Sequence, residues 1–349
     1  MNHRENVLRA VRFEQPDYIP MVFHINAACW HHYDQHALQD LMEQHRFLFP
    51  HFTRQECVRP VFALNERRCA PYTDPWGCVW ETTDDGIVGS VRYHPLAKWH
   101  DIGTYRFPDP AATDGTFPMD WQAVSAETTK RKAQGELVCG ELPHGHTFLR
   151  LMDIRGYENV LVDMSDDDPR LVNLIDQVQL FNERIVFRRL DFAPDIMSYP
   201  DDLGMQQGPM LSPRHFRKYI KPVYQRLMRP ARDRGCVVHM HSDGDIRLLV
   251  DDLIDCGVDI INLQDRVNGI AWIAEHLAGR ICIELDIDRQ HVTVRGTPRE
   301  IDDLILEEVR SLGGRQGGLM MIYGLYPGVP LQNVKALMDA MEGYSTYHS

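Results

Sequence analysis

The segment Val237-Val-His-Met-His-Ser-Asp-Gly-Asp245 has the residue types and the spacing of a metal site. Its β-rich start predicts a strand, and on a strand His239, His241 and Asp243 share one face because side chains alternate. Two imidazoles and one carboxylate can bind zinc and leave a fourth position open. In the competing interpretation, one His is hydrogen bonded in the core, and Ser242 and Asp243 cap the following helix.

Three further segments place carboxylates or imidazoles where a predicted strand ends. These are 140–146 with Glu141, His144 and His146, 199–204 with Asp201 and Asp202, and 283–289 with Glu284, Asp286 and Asp288. Such groups act as general acid or base, anchor a substrate or orient an imidazole, and they also cap helices. Because adjacent residues of an extended chain point to opposite faces, we expect only one of Asp201 and Asp202 to face a site.

Short apolar runs that alternate with amphipathic stretches must position these residues. The pattern predicts strands at 19–24, 136–140, 195–199, 236–241, 258–263, 281–285 and 317–323, and helices at 246–256, 272–277 and 298–312. Strands separated by helices form a parallel sheet. Seven or eight such units, with no Gly-x-Gly-x-x-Gly after the first strand, favour an α/β fold of the (α/β)8 TIM-barrel type. Active sites of such barrels lie at the carboxyl ends of the strands.

The chain is expected to be one barrel domain over residues 1–349, with an inserted antiparallel or irregular segment at about 60–125. That segment is rich in Pro, Gly, Trp and Tyr. Trp76, Trp80, Tyr93 and Trp99 within it could wall an aromatic substrate, although core packing explains aromatic residues equally well.

Composition narrows the class of protein. The chain has 349 residues, 44% of them hydrophobic and 25% charged, which is typical of a globular protein with a large core. Its net charge of −13 argues against nucleic acid or an anionic membrane as a partner. The eight cysteines form no Cys-x-x-Cys pair, and neither a signal peptide nor a membrane span is evident. We therefore expect a cytoplasmic protein with reduced thiols.

Several stretches together resemble the uroporphyrinogen decarboxylase family over nearly the whole chain. They are Arg4-Glu-Asn-Val-Leu-Arg-Ala-Val-Arg-Phe-Glu-Gln-Pro-Asp-Tyr-Ile-Pro20, Asp74-Pro-Trp-Gly77, Leu151-Met-Asp-Ile-Arg-Gly-Tyr-Glu-Asn159, Asp201-Asp-Leu-Gly-Met-Gln-Gln-Gly208, Ser212-Pro213, His241-Ser-Asp-Gly244, Gly257-Val-Asp-Ile-Ile-Asn-Leu-Gln264 and Pro330-Leu-Gln-Asn-Val334. The resemblance implies an (α/β)8 barrel with its site at the carboxyl ends of the strands.

The family has two functional branches. True decarboxylases carry an N-terminal Arg-Gln-Ala-Gly-Arg motif that grips the propionates of the substrate, whereas the loop here reads His24-Ile-Asn-Ala-Ala-Cys-Trp30. The sequence looks more like the methyltransferase branch, in which a barrel transfers a methyl group between a small substrate or thiol and the cobalt of a separate corrinoid protein. Thiol-methylating members of that branch bind zinc through His-x-Cys-Gly and a later Cys. This chain has Asp243 in place of the first Cys and no Cys near 323–327.

The resemblance and the missing thiolates together predict an O-demethylase component, a methyltransferase that moves a methyl group from a small O-methylated donor to the cobalt of a corrinoid partner. Aromatic ethers are one class of such donors. An N-methylated donor is the alternative within this activity. The expected residues are His241, Asp243 and His239 for zinc, Asp202, His241 and Glu141 for catalysis, and Phe23, His24, Trp30, Gln264 and Tyr323 for substrate.

The alternative is a cofactor-free decarboxylase of another acid. Asp202 would then stabilise a protonated intermediate, and Arg155 or Arg289 would bind the carboxylate. A homodimer is the default oligomer in either case.

Overall fold

The computed structural model describes residues 2–349, whose contacts separate into two compact units. The first unit, called unit 1, comprises the chain up to Cys69, Thr82–Val88 and Leu263–Ser349. Unit 2 comprises Ala70–Glu81 and Gly89–Asn262. The interpretation of the chain as a single domain stays a prediction.

The strands are short. They are β1 (Met21–Ile25), β2 (Tyr72–Thr73), β3 (Val79–Glu81), β4 (Ser90–Tyr93), β5 (Cys139–Glu141), β6 (Ile196–Ser198), β7 (Gly204–Met205), β8 (Gly208–Pro209), β9 (Val237–Ser242), β10 (Ile260–Gln264), β11 (Cys282–Asp286) and β12 (Leu319–Leu325).

Helices separate most of these strands. They are α1 (His3–Arg12), α2 (Cys29–His32), α3 (Gln35–Gln44), α4 (Trp121–Ala133), α5 (Phe148–Arg155), α6 (Tyr157–Ser165), α7 (Pro169–Leu190), α8 (Pro213–His215), α9 (Lys221–Asp233), α10 (Val250–Cys256), α11 (Asp265–Asn268), α12 (Ile270–His276), α13 (Val292–Arg295), α14 (Pro298–Leu312) and α15 (Leu331–Tyr344), with 3-10 turns at Leu64–Glu66 and Trp99–Gly103 and a π segment at Phe216–Ile220. Among residues 2–349, no helix combines the length and the apolar character needed to cross a bilayer.

In unit 1, β12 pairs in parallel with β1 on one side and with β11 on the other. Phe23 lies opposite Tyr323, and both side chains are buried and in ring contact at 5.2 Å. His24, the next residue, lies opposite Gly324 on the other face and is exposed. Unit 1 therefore buries one face of its strands and leaves the polar face more open.

In unit 2, the first three residues of β10 (260–262), β9, β6 and β5 are neighbours in that order, and β6 pairs in parallel with both β5 and β9. One face of these strands is filled by side chains such as Met197 and Met240, which are fully buried. The Tyr199 hydroxyl just beyond β6 donates to the Leu227 carbonyl oxygen of α9 at 3.0 Å. The α/β prediction is thus confirmed, with parallel strands joined through helices.

The predicted antiparallel insertion is present as the sheet β2-β3-β4 of unit 2. Its organising residue is the buried Asp74, whose carboxylate accepts hydrogen bonds from the backbone of Trp76 and Cys78 and from the Trp80 indole, each at 2.9 Å. Arg150 also donates to Asp74 at 2.9 Å. Trp76 is almost fully buried, so the structure gives it a packing role.

Most predicted strands are confirmed with a shift of one to three residues toward the C-terminus. The helix predicted at 298–312 is α14, which begins after a capping box between Thr297 and Glu300. The helix predicted at 246–256 begins only at Val250, and it ends at Gly257 in the left-handed conformation that the sequence suggests.

A carboxyl pair in unit 1 makes a first prediction. Glu308 of α14 is fully buried beside the buried Asp265, and burial raises the pKa of Glu308 well above its usual value, with Asp265 adding to the shift. Glu308 therefore holds a proton in the native state that the unfolded chain releases once the pH exceeds its ordinary pKa. Native stability consequently falls as the pH rises from that value toward the folded pKa.

Glu308→Gln should keep the size of the side chain and remove this titration. We expect a free energy of unfolding higher by about 1 kcal/mol at pH 8 and little changed near pH 4. Urea unfolding at both pH values measures the difference, with the exposed Glu307→Gln as the control. An equal effect at both pH values would contradict the assigned proton.

Candidate active site

Three parallel strands of unit 2 end at one group of side chains. His144 lies in the loop after β5, Asp202 lies four residues beyond β6, and His241 lies near the end of β9. Because the carboxyl ends of parallel neighbours meet at the same edge, these residues from distant parts of the chain come together.

The three residues, called the triad below, converge on one carboxylate oxygen. Asp202 Oδ1 lies 3.3 Å from His144 Nε2 and 3.6 Å from His241 Nε2. One potential ligand atom from each residue lies within 4.8 Å of the others. Asp243 Oδ1 lies 3.8 Å from His241 Nε2 and so borders the triad. Two nitrogens and one oxygen in this arrangement form a ligand set for zinc.

The orientation of His241 is fixed from behind by a buried amide. Its Nδ1 is hydrogen bonded to Oδ1 of Asn262 on β10. Because an amide oxygen only accepts hydrogen bonds, His241 carries its proton on Nδ1 and presents a lone pair on Nε2 toward Asp202. Metal-binding histidines are oriented by outer hydrogen bonds of this kind.

The pKa values of the two imidazoles in the triad shift in opposite directions. Burial lowers the pKa of His241, which favours the neutral ring. Partial burial opposes protonation of His144, but the hydrogen bond to Asp202 and the charge of that carboxylate raise its pKa overall. Burial also opposes ionisation of Asp202, and the contact with His144 nevertheless lowers its pKa. Asp202 is therefore a carboxylate and His241 a neutral base.

Asp201, the residue before Asp202, bonds to helices α5 and α9 and not to the triad. It is fully buried, and its carboxylate accepts hydrogen bonds from the backbone N–H of Phe148 at 2.6 Å and of Leu149 at 3.1 Å at the start of α5. The Tyr224 hydroxyl of α9 donates to it at 2.7 Å. The expectation that only one of the two adjacent carboxylates faces the site is met, and Asp202 is that one.

The loops after β6 and β9 touch through glycines. A Cβ atom on Gly204 would lie 2.5 Å from the Gly244 carbonyl carbon, and Gly244 itself has φ +80. Gly204 donates to the Asp243 carbonyl oxygen at 3.2 Å, and Asp245 donates to that of Met205 at 2.7 Å. Neither glycine has room for a side chain, so the two loops lie in direct backbone contact.

The structure places the other predicted residues of unit 2 apart from the triad. His239 Nδ1 lies 2.7 Å from Ser198 Oγ, and His239 is not among the three grouped ligands. Glu141 ends β5 and is exposed. His146 is buried beside Thr147, and burial lowers its pKa to about 4. The predicted zinc set lacked two of the three grouped residues, His144 and Asp202, of which Asp202 was expected only as a catalytic group. The position of His144 just after β5 was the available signal for it.

The predicted substrate residues of unit 1 form a buried pair and a more exposed group of three. Phe23 and Tyr323 are core side chains, as described above. His24 is exposed, and burial of part of its ring lowers its pKa. Trp30 and Gln264 are partly exposed, and the Trp30 carbonyl oxygen accepts a hydrogen bond from Gln35. Their predicted contact with substrate stays a prediction.

Comparisons with known proteins identify relatives of two activities. A family model described as "Uroporphyrinogen decarboxylase (URO-D)" matches residues 85–344, a range that contains the triad. The methyltransferase "Methylcobamide:CoM methyltransferase MtaA" of Methanosarcina barkeri is 24% identical over 155 residues, which cover 44% of this chain and 43% of that protein. A "Uroporphyrinogen decarboxylase" of Thermus thermophilus is 28% identical over 134 residues, or 38% of each protein. These matches span less than half the length of the curated relatives.

A solved structure extends the comparison over the whole fold. A "methyltransferase from Methanosarcina mazei" covers 98% of this chain and 98% of its own, with a TM-score of 0.66 and 16% sequence identity. The two proteins therefore share their fold, in agreement with the barrel type expected from the sequence.

Proposed function

Because the chain belongs to the uroporphyrinogen decarboxylase family, we propose that it is a methyltransferase that moves a methyl group from a small O-methylated donor to the cobalt of a corrinoid protein. The observation that carries the proposal is the triad of His144, Asp202 and His241, which offers nitrogen and oxygen ligands and no thiolate. All eight cysteines lie outside this group. A thiolate-free site favours an oxygen-bearing donor over a thiol acceptor.

Zinc fits the residues present. Two imidazole nitrogens and a carboxylate oxygen match its usual ligands, and the bond from His241 to Asn262 provides the outer support that such ligands have. Zinc bound by the triad would supply a Lewis acid for the donor's oxygen. Replacing the Asp243 of this chain by the Cys of thiol-methylating relatives would instead bring a soft ligand beside His241.

The protein's own groups bind and orient the donor. In the transfer, the bond between the methyl carbon and the donor oxygen breaks, and the electron pair of Co(I) forms the new bond to carbon. The donor oxygen keeps the electrons of the broken bond and leaves as an alcohol or phenol after taking a proton from water. Asp202 and the neutral His241 stay in place during this step because Asn262 and the backbone N–H of Asp243 hold them.

The cofactor-free decarboxylase has weaker support. Arg155, one of the two residues expected to bind its substrate, is buried and donates to Asp163 at 2.9 Å and to the Leu96 carbonyl oxygen at 3.1 Å. Arg289 donates to Asp286 at 2.6 Å. The Arg155 guanidinium is thus held inside the protein, and that of Arg289 is paired with the carboxylate of Asp286.

An anaerobic assay with free cob(I)alamin as methyl acceptor tests the proposal. We expect the spectrum of methylcobalamin to appear with at least one methyl ether from a panel, in protein loaded with one equivalent of zinc. Zinc-free protein should be inactive and should recover on adding zinc. Failure of every donor to methylate cobalt would overturn the proposal, and full activity without metal would overturn the role of the triad.

A further inference from the structure

We propose that the donor is a neutral ether with a hydroxyl group across the molecule from its methylated oxygen, and that Glu141, Ser198 and His239 bind this hydroxyl group. The proposal rests on the proposed function, because it takes the methylated oxygen to lie at the triad. Methoxyphenols represent the class of donor.

The three residues form a row across neighbouring strands. Glu141 lies opposite Ser198 in the pairing of β5 with β6, and Ser198 lies opposite His239 in the pairing of β6 with β9. Residues in register point to the same face of a sheet. Ser198 Oγ lies 2.7 Å from His239 Nδ1, so the row is already connected by a hydrogen bond. We call these three residues the polar row.

The polar row lies on the same face as His241 of the triad. His239 precedes His241 by two residues on β9, which corresponds to about 6.6 Å along a strand. The opposite face is filled, since Met197 and Met240 are fully buried. A molecule whose oxygen lies at the triad therefore extends toward the polar row when it points along the strands.

Accessibility falls at the polar row on β6 and β9, whereas on β5 Cys139, one step further back on the same face, is exposed. Glu141 is exposed, and Ser198 and His239 are partly exposed. One step further back on the same face, Ile196 and Val237 are buried, at 5% and 7% exposure. Interior positions of such barrels are usually filled by branched aliphatic side chains, so a carboxylate, a hydroxyl and an imidazole at this depth favour a polar ligand group.

The charge of the row selects the kind of polar group. A carboxylate such as Glu141 accepts hydrogen bonds and donates none, so it binds a hydroxyl group and repels another carboxylate. Strands β5, β6 and β9 contain no Lys or Arg, and the cation that interacts with Glu141 is Arg189 of α7, which offsets part of its charge. The rise from His239 to His241 along β9 is close to the span between para substituents of one benzene ring. The row therefore favours 4-methoxyphenol over anisole, which lacks the hydroxyl group, and over 4-methoxybenzoate.

Kinetics with these three donors and Glu141→Gln test the inference. We expect wild-type protein to use 4-methoxyphenol with the lowest KM. In the variant, KM for 4-methoxyphenol should rise about tenfold, since a hydrogen bond to a charged group is lost, while kcat and the values for anisole stay near wild type. The discrimination against 4-methoxybenzoate should weaken. Calorimetric titration with hydroquinone, the demethylated product, should show the same loss of affinity with unchanged zinc content.

Glu136→Gln is the matched control, because Glu136 lies just before the same strand and pairs with Arg131 on the surface. It should leave every value unchanged. Equal use of the three donors by wild-type protein, or an unchanged preference in Glu141→Gln, overturns the inference and leaves methyl transfer standing. Absence of cobalt methylation with all three donors and with the wider panel overturns the proposed function itself.

Discussion

Replacing His241 by Ala should abolish the proposed binding of zinc and lower the rate of the proposed methyl transfer by about a thousandfold or more. The effect follows from the position of His241 Nε2, which faces Asp202 and His144. Because His241 carries its proton on Nδ1, its Nε2 offers a lone pair to a metal ion. A Lewis acid at the reacting oxygen contributes several kcal/mol to the transition state, and about 1.4 kcal/mol corresponds to each tenfold of rate. Elemental analysis of dialysed protein and the cob(I)alamin assay measure the two losses.

Two variants separate this effect from general damage to the protein. Asn262→Ala removes the hydrogen bond behind His241 and should weaken zinc binding by about ten- to a hundredfold. His100→Ala changes an imidazole whose side chain is 72% exposed, and it should change neither zinc content nor rate. A His241→Ala protein that keeps one equivalent of zinc and its rate would exclude the triad as the metal site.

The largest loss of stability is expected for Asp201→Ala, at about 3 to 5 kcal/mol. The substitution leaves the backbone N–H groups of Phe148 and Leu149 and the Tyr224 hydroxyl without their acceptor in a buried place. Leaving a buried donor unpaired costs far more than the net gain from forming one hydrogen bond. Urea unfolding followed by circular dichroism gives the free energy.

Tyr224→Phe is the matched variant for Asp201. It removes one of the three donors and leaves the two backbone bonds in place, so the expected loss is about 1 kcal/mol. If Asp201→Ala lowered the free energy of unfolding no more than Tyr224→Phe does, the two backbone hydrogen bonds at the start of α5 would contribute nothing beyond the bond from Tyr224.

The sequence was informative where periodicity and capping residues agree. Helix α14 begins after the capping box of Thr297 and Glu300, and its bounds were predictable. Helix α10 was predicted too long because Leu248 and Leu249 continue the apolar pattern, although the chain forms a turn there. Apolar periodicity cannot separate a buried turn from the first turn of a helix.

The site was harder to predict for a physical reason. Spacing along one strand grouped His239 with His241, whereas the structure groups His241 with Asp202 and His144 from the loops after two other strands. Such convergence depends on strand order and register, which a single sequence does not contain. The bond from His239 to Ser198 likewise arises from pairing between β6 and β9.

The contact between Gly204 and Gly244 has a consequence for the thermodynamics of ligand binding. Because the loop with Asp202 and the loop with Asp243 meet backbone to backbone, neither can swing open without moving the other. Little conformational entropy is then left to lose when an ion binds between them. The two loops are preorganised, and amide hydrogen exchange at Gly204 and Asp245 should be almost as slow in metal-free protein as in the loaded form.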